Sequence, residues 1–69
     1  MNITKDGIEV KVGQVWRDLD KRMNGRTRTV LAVNDGKATM GVAAGLFVTK
    51  ILIRRMHKSS TGWDMVFNV

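Results

Sequence analysis

The residues able to do chemistry fall in two short stretches. Arg54-Arg55-Met56-His57-Lys58-Ser59-Ser60-Thr61 holds three cations, the chain's single histidine and a run of hydroxyls. Arg17-Asp18-Leu19-Asp20-Lys21-Arg22, continuing to Arg26 and Arg28, intersperses cations with two carboxylates. Catalysis finds little here. The chain has no cysteine, and one histidine cannot build a multi-histidine metal cluster within one chain. No base stands at a recognisable spacing from the hydroxyls, and Gly41 and Gly45 lack the lysine of a phosphate-cradling loop. Asp18 and Asp20, two apart in a polar loop, read as caps for backbone amides before they read as an acid–base or metal pair. His57, set among cations in a basic turn, reads as a surface residue. We therefore expect no enzyme: no catalytic residue, no metal ligand and no cofactor.

What remains is charge. Twelve lysines and arginines stand against six acids, for a net charge of +6 and a pI near 10.6. An excess of that size raises the local concentration of polyanions and speeds their capture, although it also serves solubility. Arginine dominates the two stretches, and its planar fork suits bidentate phosphate contacts better than lysine does.

These residues must be positioned by a small scaffold. Sixty-nine residues form one domain, residues 1–69, with 1–7 as a loose arm, and a chain of that size is marginally stable. There is no proline, and seven glycines separate segments of period-two alternation, the pattern of short strands joined by turns. The first extended segment runs from Ile8 to Val12 and resumes from Gln14 to Arg17 after Gly13, where a bulge or turn is expected. A polar loop ending at Asn24-Gly25 leads to a second strand, residues 27–33. Asn34-Asp35-Gly36 is the strongest hairpin signal, because these residues tolerate positive φ. A third strand covers 37–44 and a fourth 48–54, followed by a single 3₁₀ turn within 55–60. The last strand, 63–69, puts Trp63, Met65, Phe67 and Val69 on one face. The fold class is all-β, and a five-stranded SH3-like barrel that closes most of its edges fits best. The longest apolar run is far short of the ~20 residues of a membrane helix, and no signal core follows the N-terminus, so a cytoplasmic protein without membrane contact is expected.

The strings "VKVGQVWRDLDKRMNGRTRTVLAV" and "TKILIRRMHKSSTGWDMV" resemble a group of small phage-borne and bacterial proteins. In that group a Gly-x-Val-Trp start leads to an Asp-x-Asp-x-Arg loop and a Gly-Arg-Thr strand start, and the chain closes on an Arg-rich strand, a basic turn and Ser-Thr-Gly-aromatic. The resemblance spans residues 10–66. It implies a small SH3-like barrel often carried by phages, in which case the location is the host cytoplasm. It implies no biochemical role.

In an SH3-like barrel the first long loop lies near the turn before the last strand. Arg17, Arg22, Arg26, Arg54, Arg55 and Lys58 would then form one patch for nucleic-acid phosphates, DNA or RNA, largely without sequence preference. The alternative is that these cations solvate strand edges. Arg28 points inward or outward according to which face of the second strand is buried. Trp63 reads as core; Trp16 reads as core or, if exposed, as a stacking platform for an unpaired base. A second reading is a protein-binding module, contacting a host protein through Met23, Leu46, Phe47 and Leu52, with Phe47 either a loop-tip anchor or core. A third is a homodimer through Leu31 or Val33 with Leu52.

Overall fold

The structure, a computed structural model, describes residues 2–42 and 45–69. Five strands form one antiparallel sheet: β1 (Val15–Asp18), β2 (Thr27–Asn34), β3 (Lys37–Gly41), β4 (Thr49–Leu52) and β5 (Trp63–Phe67). Their order across the sheet is β4-β3-β2-β1-β5. The protein is all-β, and short 3₁₀ turns at Lys21–Met23 and Ile53–Arg55 are the described helical elements. The expected edge closure is not found: β4 and β5 are the two outer edges and do not pair.

The Asn-Asp-Gly signal marks a two-residue hairpin. Asp35 and Gly36 take φ of 50° and 73° between the paired residues Asn34 and Lys37. Positive φ at both central positions matches the twist of the flanking strands. The register of β2 on β3 slips between Val30 and Ala32. Leu31 is the extra residue, so Val30 and Val33 both turn towards the core although they are three apart. This resolves the two-sided apolar pattern of β2.

Several boundaries differ from expectation, each for a local reason. Residues 8–12 do not form a ladder strand, although Val10 is buried. Gln14 holds them instead. Its amide oxygen accepts from Lys11 N (3.0 Å) and Trp16 Nε1 (3.2 Å), and its amide nitrogen donates to the Glu9 carbonyl (2.9 Å) and Asn68 Oδ1 (2.9 Å). Every hydrogen-bonding position of this buried side chain is filled. Losing it would strand buried donors at roughly 1–3 kcal/mol each. Residues 2–10, whose first part the sequence offered as an arm, fold back as a hairpin: Ile3 bridges Glu9, the Thr4 amide donates to the Ile8 carbonyl (2.9 Å), and the Ile8 amide donates to Oγ1 of the buried Thr4 (3.2 Å).

β3 ends at Gly41, with Val42 exposed beyond it; Ala43 and Ala44 of the expected strand lie outside the described residues. β4 stops at Leu52, two residues early, because its partner β3 begins at Lys37, opposite Leu52. The Ile53 amide then donates to the Gly36 carbonyl (2.9 Å), and the 3₁₀ turn forms at Ile53–Arg55 rather than within 55–60. On β5 the expected stripe breaks after Met65. Trp16 faces Met65, but Val15 faces Phe67, so Val66 is an extra residue and the side chains change face. Phe67 and Val69 are consequently exposed.

The core consists of Val10, Trp16, Val30, Ala38, Met40, Ile53, Met56 and Trp63, with Ile8, Val33, Ile51 and Met65 packed against it. Trp16 is 1% exposed, which removes it as a base-stacking platform.

Candidate polyanion-binding surface

Three cations around the first loop, Arg17, Arg22 and Arg26, are held by carboxylates, whereas Lys21 and Arg28 form no ion pair among the described residues. Asp18, on the inward face of β1 opposite Trp63, has a side chain 7% exposed. One of its oxygens caps Asp20 N (3.0 Å), and the other accepts from Arg26 Nε (3.0 Å). Asp20 repeats the motif one step on. It accepts from Arg22 N (3.0 Å) at the start of the Lys21–Met23 turn, and from Arg22 Nε and Nη2 at 3.1 and 2.8 Å. The Arg22 side-chain and backbone hydrogen bonds hold the Asp20 carboxyl down to about 2, and Asp20 raises the Arg22 guanidinium in turn. The two aspartates thus act as caps, as their spacing suggested, each also carrying an arginine.

Arg17 and Lys58 meet at a third carboxylate. Arg17 Nη2 and Lys58 Nζ both lie 3.7 Å from Asp64, one from each oxygen. The turn that delivers Lys58 is tight: Gly62 N donates to Ser59 O (3.2 Å) and Trp63 N to His57 O (2.9 Å). A Cβ on Gly62 would overlap the His57 carbonyl oxygen, so a side chain cannot be accommodated there. Leu19 N donates to Gly62 O (3.0 Å), so the first loop does lie against the turn before the last strand.

Arg54 and Arg55 differ. Both are exposed on the Ile53–Arg55 turn, and among the described residues neither forms an ion pair with a carboxylate. Three open clefts surround β4. One, of about 300 Å³, is lined by Lys50, Ile51, Leu52, Arg55, Thr61 and Trp63. The second, of about 240 Å³, lies on the outer face of β2, β3 and β4 and includes Lys37, Thr39, Lys50 and a single acid, Asp35. The third includes Arg54 with Ile3, Gly36, Leu52 and Ile53. Lys50 is shared by the first two clefts and Leu52 by the first and third, so Lys37, Lys50, Arg54 and Arg55 surround one strand.

The expected patch therefore divides. Arg17, Arg22, Arg26 and Lys58 belong to the carboxylate-bound set, whereas Arg54 and Arg55 join Lys50 and Lys37. Lys37 was not legible as a member, because only the pairing of Lys37 with Leu52 brings it to β4. Arg28, opposite Trp16, is half-buried, and its guanidinium carbon lies 5.6 Å from the centre of the Phe47 ring. Phe47 is exposed rather than core, and Leu46 and Val48 beside it are also exposed. Leu31, Val33 and Leu52, offered for self-association, are each half-buried. Among the described residues no group of three or more His, Cys, Asp or Glu could hold a metal ion, and no helix is long and apolar enough to cross a membrane. Comparison with protein-family models, curated proteins and solved structures finds no match.

Proposed function

We propose that the chain is a small basic binding module that contacts nucleic-acid backbone phosphates, with Arg54 and Arg55 at the centre of the contact and Lys50 and Lys37 beside them. The observation that carries this reading is the absence of carboxylate partners for these arginines among the described residues, next to clefts lined by further cations. A guanidinium already engaged by a carboxylate must give up that partner to bind phosphate, whereas a free one has only water to displace. The SH3-like reading draws support from the long β1–β2 loop packed on the last turn and the 3₁₀ turn before β5. With the resemblance to phage-borne proteins, it makes the chain a phage accessory protein of the host cytoplasm.

The test is binding to a labelled duplex across a salt series. Four phosphate contacts predict a log–log slope of roughly −3.6, an affinity loss on the order of 10² between 50 and 200 mM salt. Arg54→Glu with Arg55→Glu should reduce the slope by about 2 and weaken unrelated sequences alike. Salt-insensitive behaviour, or no complex at low salt with either a duplex or a single strand, would exclude this reading and favour a protein partner.

A further inference from the structure

We infer that Phe47 and Arg28 form a stacking site for an unpaired nucleobase, which makes single-stranded nucleic acid the preferred ligand. This rests on the phosphate-binding reading and deepens it. Phe47 is 73% exposed, more than any other large apolar side chain described. Its φ is 55°, in the left-handed region that bulky residues rarely adopt. The connection that presents it is pinned at its base, where Val42 N donates to Leu46 O (2.9 Å) and Gly45 N to Val42 O (2.8 Å). Gly41 allows this close return, since a Cβ there would sit 2.9 Å from the Leu46 carbonyl oxygen and 3.2 Å from Val48 Cγ2.

The Arg28 guanidinium stands by the ring, donates Nη1 to the Thr27 carbonyl (2.8 Å), and has no ion pair with a carboxylate among the described residues. An aromatic face beside an uncompensated guanidinium matches the two halves of a nucleotide: the base stacks on the ring, and its phosphate meets the cation. A duplex keeps its bases stacked on each other and cannot offer one to Phe47, whereas a single strand can. At 73% exposure the ring projects as a tip, which suits stacking on a flat base better than seating a peptide in a groove. β4 begins two residues after Phe47 and leads past Lys50 to Arg54 and Arg55. The span is on the order of 20 Å, so one strand could touch both the ring and the arginines.

The experiment is fluorescence anisotropy with an oligothymidine single strand and a hairpin duplex of equal charge, at low salt. Phe47→Ala should weaken the single strand roughly 5- to 150-fold and the duplex by less than about twofold. Phe47→Leu should behave like the alanine variant. Phe47→Trp should restore binding, and its indole, exposed where Trp16 and Trp63 are buried, should be quenched by the strand. Leucine binding as well as phenylalanine, or equal losses for both nucleic acids, would overturn the stacking site while leaving the phosphate contact standing. Failure of the unaltered protein to bind either nucleic acid would remove both.

Discussion

The β1–β2 loop and the β4 end of the sheet carry similar numbers of cations and use them differently. In the loop, Arg22 and Arg26 lie on Asp20 and Asp18, and Arg17 shares Asp64 with Lys58. Around β4, Lys37, Lys50, Arg54 and Arg55 line clefts whose single carboxylate is Asp35. A cation paired across a loop holds that loop in place, most of all when the carboxylate is buried, as Asp18 is. A cation with no counter-charge does little for folding and leaves its hydrogen-bonding capacity to a partner. Net charge alone would rank the two regions alike; counting counter-charges separates them.

The largest way to break this contrast is to remove the turn that separates the two sets. Gly62→Ala, whose methyl would meet the His57 carbonyl oxygen, should cost about 3 kcal/mol or more and leave little folded protein by circular dichroism. Asp18→Ala leaves Arg26 and the Asp20 amide without their partner. It should lower stability by about 2 kcal/mol in urea denaturation without weakening polyanion binding. If binding falls with stability unchanged, the loop is the interface after all. Arg22→Ala, which removes an exposed, compensated cation, should change duplex affinity by less than about twofold, against the large loss expected for the Arg54 and Arg55 reversal.

The smallest effect is on pH. Asp20 is lowered in the folded chain from its ordinary 3.8 to about 2, so its ionised form is the stabilising one. Its contribution is complete above about pH 4 and falls away as pH drops towards 2. The Asp20 carboxyl resonance followed by NMR should titrate in that range, and in Arg22→Ala it should move up towards the ordinary value. An unmoved midpoint would show that the pair is not what holds it down.

The turn chemistry and most of the strands were legible from particular residues. Asp35-Gly36 could only serve a turn with positive φ, the alternation in β3 placed Ala38 and Met40 inside, and Asp18 and Asp20 cap amides as their spacing suggested. What was missed lay where a strand pattern met a partner that ran out or slipped. Residues 8–12 alternate like a strand but are held by Gln14; Phe67 and Val69 alternate with Trp63 but follow the slip at Val66. The expected patch joined Arg17, Arg22, Arg26 and Lys58 to Arg54 and Arg55, because sequence spacing cannot show which aspartate reaches which guanidinium.

By itself the sequence determined an all-β chain with an excess of positive charge, since composition and period-two alternation are local properties. Only the tertiary structure decided that Lys37 stands beside β4, that Asp64 serves Arg17 and Lys58 together, and that Phe47 rather than Trp16 is exposed. Those depend on register, and register follows from bulges and turn closures between residues far apart in the chain.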